Sequence, residues 1–496
     1  MPKQLPVTAP DRGINKYLPK NLIDDRAWSD GNNVHFGVGY AEKVGGWKEF
    51  LNRPVPWQAS TAYSPGAYIM PSSPTGHVYQ CTTEGTTGSV EPVWPATAGD
   101  TAADGTAGWT NVGVNQLSGI IMAMDNYYLF NGNSYLMAVT TTHCYRYDPD
   151  ANTFVDITSG TPLNGTSEHP VITENAQNWF VFTNGVDPVK YWDGDLAHTI
   201  ADLPGLDDVE GGATSVRCKT LLYFQNFLLL GGTTENGTPF PQRIRWSCIG
   251  DIAKWKNVAG DISRSEAGYG DLTDDVSWVV GLRPLGNYVA VYKERAIQLM
   301  NYAGGATIWN KWPAFIGTGL LSAKALVDLG DEHIFVGNDN IYSFNGREPS
   351  IAGDDAAKEF FRVLDPDKYG LIAGFYVEEV PELWFAFPST SSPDGHPDKA
   401  IVYNTDTKAW SMRDLPMTAF GYYNRRGDGV WDADDDTWDN HSTEWDASIN
   451  LDNAPINLAG GRGRRHLCVR GQRQGRGFRA HRQFPDHQAV RFRRAG

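Results

Sequence analysis

Short runs of β-branched and aromatic residues, broken by Gly, Asn and Asp, dominate residues 117–445. The plainest case is 331–346, DEHIFVGNDNIYSFNG: Ile334-Phe335-Val336, a Gly337-Asn338-Asp339-Asn340 turn, Ile341-Tyr342 and Phe344, then Asn345-Gly346. Such runs predict antiparallel strands in hairpins, because Gly, Asn and Asp accept the positive φ of tight turns. Aromatic-[Asn/Asp]-Gly turns recur at Phe130-Asn131-Gly132, Trp192-Asp193-Gly194 and Phe344-Asn345-Gly346. A longer turn, opened and closed by aromatics, appears at Tyr147-Asp148-Pro149…Phe154 and at Tyr403-Asn404-Thr405…Trp410. The strand runs fall into about six clusters spaced on the order of 40–60 residues apart, which predicts an all-β chain built as a β-propeller of about six or seven blades. Neither a Gly-His…Trp-Asp array nor a double-Gly kelch array is present. One helix interrupts the pattern, with Asp354 and Asp355 as amino-terminal caps, Ala357, Phe360, Phe361 and Leu364 on one face, and a stop before Pro366. It reads as a connector between blades.

The flanks have other textures. Residues 1–52 are polar and turn-rich and predict an arm or closing strand laid along the main domain. Residues 53–116 carry Trp57, Tyr63, Tyr68, Tyr79, Trp94 and Trp109 among many Gly and Pro, with few aliphatics, so a small β insert must build its core from aromatics. The order of these residues resembles the small chitin-binding-type carbohydrate modules. That resemblance implies that Trp57, Tyr63, Tyr79, Trp94 and Trp109 stack on sugar rings. The alternative is that they pack on one another as a structural insert. The second reading is favoured where Gln80-Cys81-Thr82 replaces the paired Trp expected after Tyr79.

Residues 446–496 form a C-terminal segment that turns basic after 460, with eleven Arg, no Lys and a single acid, Asp486. Arg without Lys beside Gly, His and Gln is what a GC-rich coding strand gives in a shifted frame. The tail is therefore expected to be disordered and the product of a frameshift, with a true nucleic-acid-binding arm as the alternative.

Charge sharpens the picture. The chain carries 42 Lys and Arg against 58 Asp and Glu, a net −16, so the body without its tail is strongly acidic. Such a body repels phosphate and gains little affinity for nucleic acid from counterion release. The five Cys (Cys81, Cys144, Cys218, Cys248 and Cys468) are dispersed and suit reduced, structural thiols. No apolar run reaches membrane-spanning length and no secretory h-region opens the chain, so synthesis in a cytoplasm without Sec export or membrane insertion is expected.

Candidate chemistry is sparse. The nucleophile elbow, the P-loop, the Rossmann glycine fingerprint and His-Glu-x-x-His are all absent. Asp432, Asp434 and Asp436 alternate as calcium ligands would, but Thr437 stands where an EF-hand loop needs Gly, and Ala433 breaks a sialidase Asp box. Asp271, Asp274 and Asp275, or Glu378, Glu379 and Glu382, are the carboxylates a propeller glycosidase could use. On so acidic a chain, solvated turns explain them better. No catalytic, cofactor or metal residue is assigned, and the chain is expected not to be an enzyme.

Several stretches together resemble the β-propeller hub or nozzle proteins of short-tailed bacteriophages, the packaged-DNA stabilisation family. They are Arg243-Ile244-Arg245-Trp246-Ser247…Trp255; Val280-Gly281-Leu282…Tyr292-Lys293-Glu294…Gln298…Tyr302-Ala303-Gly304; Gly317-Thr318-Gly319; and, in the arm, Asn21-Leu22…Asn33-Val34…Gly45-Gly46-Trp47. The resemblance covers most of 10–45 and 117–445. It implies a virion tail protein forming a homo-oligomeric ring, a hexamer beneath the portal and its adaptor, that meets tail fibre or spike and needle proteins. DNA would pass through a lumen lined by carboxylates without specific binding, and the insert would project toward fibre or host-surface glycan. The rival reading is a propeller glycoside hydrolase or lectin acting on cell-surface polysaccharide.

Overall fold

A computed structural model describes residues 12–423, apart from scattered positions, and residues 456–461 and 467–470. The acidic stretch 427–446, Glu378, Glu379 and the tail beyond 470 lie outside the described residues. The protein is all-β and divides into two units, one built from 1–45 and 158–418, the other from 46–157 and 419–471.

The first unit is a β-propeller body of five consecutive four-stranded antiparallel sheets. Blade A holds Ile172–Ala176, Trp179–Thr183, Lys190–Trp192 and Ala201–Asp202. Blade B holds Val216–Phe224, Phe227–Glu235, Thr238–Trp246 and Gly268–Asp271. Blade C holds Val279–Leu285, Tyr288–Lys293, Ala296–Tyr302 and Trp309–Ile316. Blade D holds Leu326–Asp328, His333–Val336, Ile341–Phe344 and Ser350–Ile351. Blade E holds Ala373–Val377, Glu382–Phe387, Lys399–Asn404 and Trp410–Asp414. Five is fewer than the six or seven blades expected, because the strands of 121–156 and the terminal strands belong to the second unit.

Local chemistry explains the hairpins. In blade B, Phe224 pairs with Phe227 across Gln225 (φ 47°) and Asn226 (φ 65°), and Glu235 pairs with Thr238 across Asn236 (φ 48°) and Gly237 (φ 81°). Two central residues at positive φ define the primed turn whose twist matches the flanking strands. The blade D hairpin departs from expectation. Its Gly337-Asn338-Asp339-Asn340 turn contains no positive φ, and only Gly346, at φ 91°, takes one. Gly337 answers a close approach instead, since a Cβ there would sit 2.8 Å from the Tyr342 ring.

Apolar side chains fill the layers between neighbouring sheets. Leu229, Trp246, Val289 and Trp309 join blades B and C, and Tyr292, Phe335, Phe344 and Phe385 run from C to E. The helix Asp354–Val363 links blades D and E and buries Ala357 and Phe360. Its N-cap is Gly353, with no side-chain capping bond, rather than either Asp.

Residues 12–45 lie along blade E as an arm. The Ile14 N–H donates to the Trp410 carbonyl at 2.9 Å, and Val34–Gly37 pairs with Tyr40–Lys43. Gly13 sits at φ 79°, and a Cβ there would come within 2.4 Å of the Trp410 oxygen, so only glycine fits.

In the second unit, Ile121–Tyr128, Ser134–Thr140, Cys144–Asp148 and Thr153–Asp156 form a four-stranded run. The sheet then continues through the single pair Val114↔Phe154 into the aromatic insert. A separate sheet orders Trp47–Glu49, Leu467–Arg470, Ile456–Gly461 and Met417–Tyr423. The tail is thus not structureless throughout: Leu467–Arg470 pairs on both edges, with Trp47↔Arg470 on one side and Leu458↔Val469 on the other. Leu-Cys-Val is a β-prone run despite the arginines around it.

Candidate functional site

Three groups of residues drew attention in the sequence, and the structure uses each differently. The Arg243–Trp255 motif forms an ionic latch inside blade B. The strand Thr238–Trp246 aims Arg243 and Arg245 to the same face, two residues apart. Arg243 donates to Asp271 from Nε and Nη2 at 2.8 and 3.0 Å and to Glu235 from Nη1 at 3.0 Å. Arg245, almost wholly enclosed, donates twice to Glu235 and once, at 2.7 Å, to the Glu210 carbonyl. The Tyr269 ring lies 4.3 and 4.9 Å from the two guanidinium carbons. The Trp246 indole donates to the Glu266 carbonyl at 2.8 Å, Ser247 Oγ accepts from the Leu228 N–H, and buried Trp255 donates to the Ile252 carbonyl. Every member of the motif therefore serves blade geometry.

The candidate catalytic acids are equally occupied. Asp271 is held by Arg243, whose hydrogen bonds keep its carboxyl below the usual carboxylate range. Asp274 accepts from Gln298 Nε2 at 3.0 Å. Asp275 pairs with Lys293, a fully buried ammonium that also donates to the Leu272 carbonyl at 2.9 Å. Burial alone would raise the Asp275 carboxyl, but bonds from Lys293 and Ser277 outweigh it and hold it low. Glu382 is buried under Arg413 and the Trp384 indole, both at 2.9 Å, with His35 Nδ1 at 2.5 Å. A general acid working near neutral pH needs a raised carboxyl. Asp271 and Asp275 have the opposite shift.

His333 opens the second strand of blade D inside the core. Its Nδ1 lies 2.8 Å from the Tyr292 hydroxyl and its Nε2 2.8 Å from the Pro284 carbonyl. Burial pushes the imidazole below its ordinary value, against the pull of Asp328.

One large cavity, about 930 Å³, opens in the propeller body, at the end where the innermost strands begin and the second strands turn into the third. Blades A to D contribute to it. Its lining mixes signs, with Glu168, Glu294 and Asp339 alongside Lys219 and Arg295. Each acid already has a donor: Lys368 for Glu168, the Trp278 N–H for Glu294, and the Tyr342 hydroxyl for Asp339. Trp278 and Tyr369 stand about half-exposed in the wall. The family-like stretches and the blade D hairpin contribute Val280, Glu294, Gly317, Thr318, Asn338, Asp339 and Tyr342 to this lining. The lining gathers strand positions and turns spread from Glu168 to Gly370, and nothing local marks their convergence.

The insert settles into an aromatic core. Trp109 and Tyr79 are fully buried. Tyr63 meets Trp109 edge-on at 5.1 Å, Trp94 meets Tyr79 at 4.4 Å, and Trp94 crosses Trp109 at 6.2 Å. The Trp57 indole donates to Asp104, the Trp94 indole to Glu91 and the Tyr79 hydroxyl to the Pro95 carbonyl. The stacking role expected of Tyr79 and Trp109 is therefore corrected, because neither ring has a free face. Trp57, Tyr63 and Trp94 are partly buried against the same cluster.

No protein-family model matches the chain, and no curated protein does. Among solved structures, BamB from Moraxella catarrhalis is 11% identical over 88% of this chain and 99% of its own, with a TM-score of 0.37. The β-propeller domain of Myceliophteria thermophila Cps50 (Swd1) is 8% identical over 76% of this chain and all of its own, TM-score 0.38. The computationally designed Ika8 protein is 10% identical over 84% of this chain and 99% of its own, TM-score 0.36. What the chain shares with such structures is the fold class alone.

Proposed function

We propose that this protein is a structural component of a bacteriophage tail, a hub or nozzle that assembles as a homo-oligomeric ring and extends the DNA channel. The observation that carries the reading is the blade B latch. The residues that resemble the hub family, Arg243, Arg245, Trp246, Ser247 and Trp255, are tied into rigid architecture rather than presented to a substrate. A conduit under pressure from packaged DNA needs that kind of stiffness, and the net charge of −16 lets phosphate pass without adhering. On this reading the ring, a hexamer by resemblance, sits below the portal and adaptor and carries fibre or spike and needle proteins. The protein is made in the host cytoplasm and resides in the virion. We count the two four-stranded runs of the second unit as blades as well, which brings the total to seven.

The rival glycosidase reading draws no support from the acids described above, each of which has a standing donor. Immunogold labelling of tail particles, together with polysaccharide hydrolysis assays, tests the assignment. Labelling at the tail without hydrolysis is expected. Hydrolysis that disappears on replacing one carboxylate would overturn it.

A further inference from the structure

Outside the latch and the buried ion pairs, charged and aromatic side chains with unused binding capacity converge in the cavity, or funnel, of the propeller body. Its wall is continuous across three blades. Lys219 Nζ, from the innermost strand of blade B, lies 5.0 Å above the Trp278 ring. Trp278 and Glu294 exchange contacts at the start of blade C: the Glu294 N–H donates to the Trp278 carbonyl at 3.0 Å, and Glu294 Oε2 accepts from the Trp278 N–H at 3.4 Å. Asn338 of blade D, which lines the space, donates to the Glu294 carbonyl at 2.7 Å. Gly319 permits this crowding, since a Cβ there would lie 2.0 Å from the Lys293 carbonyl oxygen.

The unused capacity has a sign. Among the described residues, neither Lys219 nor Arg295 has an ion-pair partner, and both line the funnel. The carboxylates keep lone pairs for further donors, since each accepts a single described bond there. A ligand matched to this wall carries one anionic group for the two cations, a flat apolar face for the exposed part of Trp278, and hydroxyl donors for Asp339, Glu294 and Asn338. Nucleic acid fits worse. A run of phosphates would meet Glu168, Glu294 and Asp339 along with the cations, and it offers few hydroxyl donors. The volume, about 930 Å³, suits a ligand of a few rings.

We propose that the funnel is a binding site for an acidic saccharide, with Lys219 and Arg295 on the sugar carboxylate, Trp278 under the ring, and Asp339 with Asn338 on hydroxyl groups. The inference stands apart from the hub reading. Sugar binding by a protein absent from tails, or tail assembly without sugar binding, separates the two.

Isothermal titration of the full chain with trigalacturonate and sialyllactose, with neutral chitotriose and an oligothymidylate as comparators, tests the site. The expected result is saturable binding of an acidic saccharide, weakened about tenfold or more by Lys219→Gln or Arg295→Gln and by Trp278→Ala. All three side chains are exposed, so unchanged thermal unfolding of the variants confirms that loss of binding is local. Failure of both acidic sugars to bind at millimolar concentration overturns the proposal. So does equal binding of chitotriose, tighter binding of oligothymidylate, or indifference of binding to both charge replacements.

Discussion

Arg245 donates from Nε and from Nη2 to one and the same oxygen of Glu235, at 3.1 and 2.8 Å, with both side chains withdrawn from solvent. Glu235 Oε2 is meanwhile held by Arg243, so a single carboxylate ties two strand positions together. Removing one member of such a set leaves an uncompensated buried charge, which costs more than replacing the set with apolar groups. Glu235→Leu or Arg245→Met should each lower stability by about 3–5 kcal/mol. The double variant Glu235→Leu/Arg245→Met should recover part of that loss. Chemical denaturation of the four proteins checks the non-additivity.

His333 should make the propeller body sensitive to mild acid. Its folded pKa lies below the unfolded value of about 6.5, because burial disfavours the imidazolium. Above that pH the group is neutral in both states and contributes no slope. As pH falls below about 6.5 only the unfolded chain takes the proton, so stability declines by up to about 1.4 kcal/mol per pH unit until the folded pKa is reached. His77, also lowered by burial, adds a slope of the same sign. Urea midpoints between pH 5 and 7 should show the decline in the native protein, a shallower one in His333→Gln, and the shallowest in His333→Gln/His77→Gln.

A second loss should follow in stronger acid. Asp271 and Asp275 have carboxyls depressed in the folded state, so their contribution is complete above the unfolded value of about 3.9 and disappears as pH falls through the folded values. Asp275→Asn should remove part of this lower step while leaving the His333 step in place. Circular dichroism across a pH series separates the two.

Trp109 has no exposed surface and is touched by Tyr63 and Trp94. Trp109→Ala should cost about 3–5 kcal/mol, because it empties the centre of a core with few aliphatic residues to collapse into the gap. Hydrogen exchange should become fast in His77–Thr83 and Ala107–Val114, while the strands of blades A to E keep their protection.

Much of this was legible locally. Asn236-Gly237 and the aromatic-Gly punctuation announce hairpins, and blade D appears where Ile334–Phe344 predicted strands. The reasons were less legible: Gly337 is there for room beside Tyr342 and not for positive φ. Direction of burial was harder still. Trp109 and Tyr79 read as sugar platforms or as core, with core favoured only by the missing paired Trp, since composition does not say which face of a strand meets the sheet behind it. Nothing local marks Lys293 as buried, yet it lies fully enclosed on Asp275, because its partner is supplied by the loop entering the same blade. The funnel is the extreme case. Lys219, Trp278, Arg295 and Asn338 share no local spacing and meet only through the radial stacking of blades.

Labelling purified virions with antibody to this chain, and counting its copies against the portal protein, tests whether it is a ring-forming tail component. Gold at the tail and a copy number matching a closed ring of identical subunits are expected. Its absence from particles, together with a free monomer that releases sugar from polysaccharide, would contradict it.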